Sequence, residues 1–327
     1  MRYRLWPSAG CPDTVGMNTT PQRPLRAPLD FRQLDVFAAA PGLGNPLGVV
    51  FDADGLDAAT MQAIAAWLNL SESTFVLKPT QPGASYRLRI FTPRQELPFA
   101  GHPSVGTAHA VLEHGLVAPA VDAAGMRHLV QQCAAGLLPL RVAGDGADRV
   151  IHVRAPRGVE REAAAEPIIA SLAPGADPTS GRTATRRPDA LRPALIDNGP
   201  HWWCVELTDE SAVRGLKPDL DAMAAANRAD GSVGVAVFAR CVGRPYSLVV
   251  RAFVPADGIA EDPVTGSANA AIAAWLHANG ALPARRFTSS QGRELGRDGV
   301  VEIEVDGDGE VWIGGRTQTV VEGALSW

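Results

Sequence analysis

The chain has 327 residues and a mass of 34.4 kDa, room for about two domains of roughly 150 residues each, which excludes a peptide or a disulfide miniprotein. Hydrophobic residues at 46% and charged residues at 20% fit a water-soluble globular chain and not a disordered one. A formal net charge of −5 and a pI near 5.8 leave no basic footprint for a phosphate backbone or an anionic membrane surface, so neither nucleic acid nor membrane is an expected partner.

Residues 1–28 carry Arg2, Arg4, Arg23 and Arg26, are broken by prolines and hold no signal-like apolar run. They read as a disordered leader, with Met17 an alternative start. From Leu29 short strands and helices alternate. FRQLDVF (Phe31 to Phe37) is apolar and β-prone, and GLGNPLGVVFD turns through Gly42, Gly44, Asn45 and Pro46 into a second strand at Val49 to Phe51. DAATMQAIAAWLNL places Met61, Ile64, Ala65 and Leu68 at helical spacing behind an acidic start, the pattern of an amphipathic helix. Strands follow at Thr74 to Leu77 and Tyr86 to Phe91. Between Arg154 and Pro193 the pattern weakens to one helix near Glu162 to Leu172 and a polar loop. VVEIEV, the turn at Asp306 to Gly309, EVWIGG and TQTVVEG read as a closing meander. The expected division is a leader at 1–28, a first half at 29–145, with the last strand at 316–327 available to complete it, and a second half at 146–315. No apolar run of about 18 residues predicts a membrane span.

Cys11, Cys133, Cys204 and Cys241 lie far apart without a CxxC pair, which argues against a structural zinc site or a disulfide framework and fits a reducing cytoplasm. The lysines, Lys78 and Lys217, each precede a proline in a turn-like context, unlike a Schiff-base lysine held in a pocket. Pyridoxal phosphate is therefore not an expected cofactor.

An internal repeat organises the chain. FTP at Phe91 followed by HPSVGTAHA (His102 to Ala110) matches FVP at Phe253 followed by DPVTGSANA (Asp262 to Ala270), at an offset near 160 residues; Asp57 to Leu77 aligns with Asp219 to Phe238, and GNP at Gly44 has an echo in NGP at Asn198. Two related halves predict a pocket between them. Proline suits a first helical turn, so His102 and Asp262 are expected at matched helix starts, each helix small-residue-rich and buried. Paired helix N-termini favour negative charge, and Gly101, Thr265, Gly266 and Ser267 allow a carboxylate to approach closely. The repeat breaks at Glu72, which aligns with Val233. One acid that serves as both base and acid suffices for a proton shift on one face of a substrate. Plainer roles exist for each: Glu72 as a solvated turn residue, His102 and Asp262 as helix caps, Ser267 bonded to its own backbone.

LDVFAAAPGLGNPLGVVF, SESTF, FTPRQELPFAGHPSVGTAHAV, EDPVTGSANA and SSQGRELG followed by GVVEIEV and VWIGG resemble, in order from about Leu29 to the C-terminus, the PhzF family of phenazine-biosynthesis-like isomerases. The resemblance implies an α+β, diaminopimelate-epimerase-like fold: two pseudo-symmetric halves, each a mixed sheet or barrel wrapped around a central helix. It implies Glu72 as general acid/base, His102 and Asp262 lining the site and assisting proton movement, and Gly101, Gly266 and Ser267 holding a substrate carboxylate. It also implies a cofactor-independent isomerase acting by double-bond shift or epimerisation, and a homodimer. Ser104 stands where many relatives have threonine. A two-thiol racemase of the same fold is disfavoured, since AGHPSVG and DPVTGSA hold no cysteine. GLGNPLG has the wrong spacing for a dinucleotide fingerprint, and HAVLEH matches neither zinc-protease motif. The alternative from another class is a small-carboxylate-binding protein without catalysis. The residues do not name the substrate.

Overall fold

The computed structural model describes residues 27–172 and 190–327, so the expected leader lies outside the described residues up to position 26. β1 (Leu29–Val36) and β2 (Asn45–Val50) pair antiparallel across the turn containing Gly42. α1 (Ala58–Leu68) begins at Asp57, whose carboxylate accepts the Thr60 amide at 2.7 Å, and stops at Asn69 in the left-handed region. Its buried side, Met61, Ile64 and Ala65, packs with residues of β3 (Glu72–Leu77) and β4 (Tyr86–Phe91). β3 starts two residues earlier than the sequence predicts, because Leu47 pairs in parallel with Glu72; that register makes Glu72 a strand residue instead of a turn residue.

The first half continues through β5 (Glu96–Leu97), α2 (Gly101–Glu113), β6 (Ala120–Val121), β7 (Arg127–Cys133), β8 (Gly136–Ala143) and β9 (Val150–Arg154). The second contains β10 (Val159–Arg161), α3 (Glu166–Leu172), β11 (Ala194–Asp197), β12 (His201–Glu206), α4 (Glu210–Arg214), α5 (Leu220–Asp230), β13 (Gly234–Arg240), β14 (Leu248–Val254), β15 (Ile259–Asp262), α6 (Gly266–Ala278), β16 (Arg286–Gln291) and β17 (Gly299–Val305), then β18 (Val311–Leu325). Part of the weakly patterned connector is thus β10 and α3; the rest of it, 173–189, lies outside the described residues.

In the first half β1, β2, β3, β4, β7, β8, β9 and β18 close into a barrel, with parallel pairs at β2–β3 and β4–β7. The second half repeats the order as β11, β12, β13, β14, β16, β17 and β18, with parallel pairs at the same places, β12–β13 and β14–β16. Each half therefore has the predicted α+β, diaminopimelate-epimerase-like architecture around one helix, α2 or α6, buried along most of its length. The halves also exchange chain: after β9 the chain crosses to pair with β11 as β10, and after pairing with β17 and β9 the strand β18 returns to pair with β1.

The expected meander ends differently. EVWIGG and TQTVVEG form the single strand β18 and not two. Gly314 and Gly315 make this possible, because a methyl group on Gly314 would lie 2.4 Å from the His152 ring and one on Gly315 2.8 Å from Phe37. At these two positions of the strand there is no room for a side chain. Similar closeness holds α2 to its sheet: a methyl on Gly106 would sit 2.6 Å from both Leu47 and Val36 side chains. Among the described residues no helix is long and apolar enough to cross a membrane.

Gly234 opens β13 beside Trp202, and a methyl group there would lie 2.1 Å from the Phe253 carbonyl oxygen and 2.9 Å from the Trp202 ring. Backbone cannot yield as a flexible side chain does, so Gly234→Ala is expected to cost about 1–3 kcal/mol. Thermal unfolding should show the loss as a Tm lowered by a few degrees; an unchanged Tm would mean that β13 and β14 separate freely.

Candidate active site

The first residues of α2 and α6 meet. A methyl group on Gly101 would lie 3.8 Å from the Gly266 Cα, and one on Gly266 3.6 Å from the His102 amide nitrogen. The first amides of a helix have no intrahelical acceptor, and the helix dipole makes that end positive. Ser104 is satisfied at Ala100, its amide at 3.2 Å and its hydroxyl at 2.8 Å, and the Thr265 amide donates to Gln291 at 3.0 Å. The amides of Gly101, His102, Gly266 and Ser267 are left at the junction, a donor set suited to a carboxylate.

The aligned pair His102 and Asp262 does not occupy matched helix positions. His102 is the second residue of α2, where the missing N–H of Pro103 costs nothing, whereas Asp262 ends β15 four residues before α6 begins. Proline at 263 keeps Asp262 extended, and side chains from both halves fix it there. Asn45 Nδ2 donates to its Oδ1 at 3.2 Å, Thr265 Oγ1 to its Oδ2 at 2.5 Å, and Gln291 Nε2 to its backbone oxygen at 3.1 Å.

Glu72 Oε2 and His102 Nε2 stand 3.4 Å apart, with side chains 17% and 7% exposed. Neither atom has a hydrogen-bond partner although both are buried. Burial, and then the negative charge of Asp262, push the Glu72 carboxyl up to about 8. Burial drives the imidazole down to about 3, against the pull of its ring hydrogen bond to the Pro46 carbonyl. With Nε2 unpartnered, that bond assigns the proton to Nδ1 and leaves a lone pair on Nε2 facing Glu72. The contact is thus no ion pair at neutral pH: it joins a carboxylic acid to a neutral imidazole. Asp262 is lifted to about 6 by burial, with the Thr265 and Asn45 hydrogen bonds opposing the rise. Asp262 loses its proton first, so its charge acts on Glu72 and not the reverse. The neighbouring Glu261 is paired with Arg251 by bonds of 2.9 and 2.8 Å.

The family model for phenazine biosynthesis-like proteins, PhzC-PhzF, matches residues 34–323. The chain belongs to the PhzF family. It is 35% identical over 299 residues, 90% of its length and 97% of the relative's, to antisense-enhancing sequence 1 of Schizosaccharomyces pombe. It is 33% identical over 289 residues, 84% of its length and 94% of the relative's, to trans-2,3-dihydro-3-hydroxyanthranilate isomerase of Pseudomonas chlororaphis. Among solved structures, a predicted epimerase from Pseudomonas aeruginosa superposes with a TM-score of 0.70 at 30% identity, covering 91% of this chain and 99% of that one. The protein is an isomerase of the PhzF family with an epimerase-like fold.

In this PhzF-family chain the structure gathers Glu72, His102 and Asp262 with Gly101 and Gly266 at the junction. Thr265 is placed differently from the other substrate-site candidates: its hydroxyl bonds Asp262 and Gln291, its amide Gln291 and its oxygen Asn269, so it supports Asp262 and offers no spare polar atom. Ser267 Oγ accepts the Trp202 indole N–H at 3.1 Å, and its backbone oxygen accepts Asn198 at 2.9 Å. Its hydroxyl proton stays free to be donated.

Sequence reasoning missed Gln291, Trp202 and the role of Asn45. The GNP and NGP echo pointed at the last. Leu47 lies beside Glu72 and His201 is held at Val233, so Pro46 and Pro200 correspond while their asparagines fall one position out of register. Asn45 accordingly reaches Asp262, and Asn198 reaches Ser267. Among the described residues no three His, Cys, Asp or Glu side chains converge as a metal-ligand set.

Proposed function

We propose that the protein moves a proton between carbon atoms of a small carboxylate-bearing substrate, by double-bond shift or epimerisation, with Glu72 as the general acid/base. One observation carries this reading: two buried atoms able to exchange a proton, Glu72 Oε2 and His102 Nε2, are left without partners at the meeting of two helix N-termini. A substrate carboxylate would take the amides of Gly101, His102, Gly266 and Ser267 and the Ser267 hydroxyl. That would place the adjacent C–H near Glu72. A carbon acid is weak, so the base must be strong for a carboxylate, and a group raised to about 8 has that strength. Glu72 keeps the proton it takes from one carbon and returns it to another, while neutral His102 offers its Nε2 lone pair as a hydrogen-bond acceptor for the protonated carboxyl, and Asp262 keeps Glu72 basic. The dihydro-hydroxyanthranilate named for the Pseudomonas relative supplies the first substrate class to try, cyclic hydroxy- or amino-carboxylates.

The test is proton NMR of such carboxylates in D₂O with wild type and Glu72→Gln. Loss of a C–H signal or a moved double bond with wild type alone supports the proposal; binding without exchange across the panel would replace it with a carboxylate-binding protein. Asp262→Asn supplies a second check on the charge argument. It removes a negative charge beside Glu72, so the pH at which kcat/KM reaches its plateau should fall by about one unit. An unmoved profile would show that Asp262 does not act on Glu72.

A further inference from the structure

We propose that Asn45 is a positioning residue that reaches from the first half into the second to hold Asp262 as the carboxylate beside Glu72. The proposal rests on the assignment of Glu72 and deepens it. Asn45 is fully buried at the first position of β2, and its Nδ2 donates to two acceptors of the opposite half, Asp262 Oδ1 at 3.2 Å and the Val264 oxygen at 3.0 Å. The Val264 oxygen can only accept, so the amide is oriented with nitrogen toward Asp262, and its Oδ1 is a buried atom without a partner. A side chain that leaves one buried lone pair unpaired in order to donate twice to a single turn is held by that turn.

The approach loop is fixed as firmly. The Gly44 amide donates to the Asp35 carboxylate at 3.0 Å, and a methyl on Gly44 would lie 2.2 Å from the Val36 oxygen. From the second half, Arg297 donates to the Gly42 oxygen and the Asp298 amide to the Leu43 oxygen, both at 2.9 Å. The loop thus spans the interface between the halves and delivers one donor to one carboxylate.

The charged and titratable groups around Asp262 are Glu72 of β3, His102 of α2 and Glu261 of β15, the last neutralised by Arg251 of β14. His102 stays neutral. Among the described side chains the donors to the Asp262 carboxylate are therefore Thr265, from its own turn, and Asn45, from the other half. Removing Asn45 would raise the Asp262 midpoint toward neutrality, and Glu72 would then lose part of the negative charge that keeps it basic.

The experiment uses full-length protein with carboxyl-¹³C aspartate, the Asp262 signal assigned by its absence in Asp262→Asn, titrated for wild type, Asn45→Leu and Asn45→Asp. The expected midpoints rise in that order, by about one unit for Leu and further for Asp, whose carboxylate repels where the amide attracted. In parallel the kcat/KM plateau should shift to lower pH in Asn45→Leu, and the double variant with Asp262→Asn should match Asp262→Asn alone. A midpoint unmoved in the folded variants overturns the proposal, as does an equal kinetic shift with or without Asp262. The aspartate titration does not depend on turnover, so a positive titration with a fully active Glu72→Gln would retain Asn45 as the residue that holds Asp262 while removing Glu72 from the reaction. Should Asn45→Leu fail to fold, Asn45→Asp, nearly identical in shape, carries the test alone.

Discussion

Glu72→Gln is expected to lower turnover by about 10²- to 10⁴-fold while leaving the fold and carboxylate binding in place. Glutamine matches the neutral acid in shape, and Glu72 is itself mostly neutral at pH 7 with its carboxyl near 8, so the substitution changes little in the resting protein. What it removes is the capacity to exchange a proton. The same position sets the pH dependence. Proton abstraction needs the carboxylate, and only about a tenth of Glu72 is ionised one unit below its midpoint. For wild type kcat/KM should therefore climb about tenfold per pH unit through neutrality and level off above about 8. A profile flat from pH 6 to 9, or a Glu72→Gln variant within threefold of wild type, would remove Glu72 from the mechanism.

The repeat exposed Glu72 because the second half has Val233 in its place, and local patterning gave α1, α2, α6, the strands β1 to β4, β17 and the two parts of β18. It could not give register. That Glu72 is the first residue of β3 follows from its parallel pairing with Leu47, a contact made only after α1 returns the chain. Sequence pairing of His102 with Asp262 likewise suggested two equivalent helix caps. Identical His–Pro and Asp–Pro steps resolve differently because Asn45 and Gln291 hold Asp262 extended, through contacts separated by 217 and 29 residues. Gln291 sat unread in SSQG for the same reason: a fully buried glutamine in a strand declares nothing until its partners, Thr265, Asn269 and Asp262, are in view. The long β18 escaped prediction because Gly314 and Gly315 interrupt its β-prone pattern, and only His152 and Phe37 packed against them show why the strand is bare there.

Stability should record the proton on Glu72 as clearly as catalysis does. Its carboxyl titrates near 4.5 when unfolded and near 8 when folded, so the native state binds that proton more tightly. Below pH 4.5 both states hold it and its stabilising contribution is fully present. As pH rises the unfolded chain releases the proton while the native chain keeps it, and the contribution drains away until the folded group also ionises near 8. The loss is on the order of 5 kcal/mol, about 1.4 kcal/mol for each unit by which the carboxyl is raised. Asp262 adds to the same slope over a lower range, since burial lifts it to about 6, and His102, depressed to about 3, opposes it by losing stability as pH falls below its unfolded value. Comparing wild type with Glu72→Gln cancels most of these background titrations and isolates Glu72. The two proteins should unfold at similar temperatures near pH 4.5, and the variant should then gain steadily, reaching a Tm roughly 4–8 °C above wild type at pH 8.5. Parallel curves across that range would mean that Glu72 is ionised in the native protein at neutral pH, and the strong base inferred from its burial would not exist.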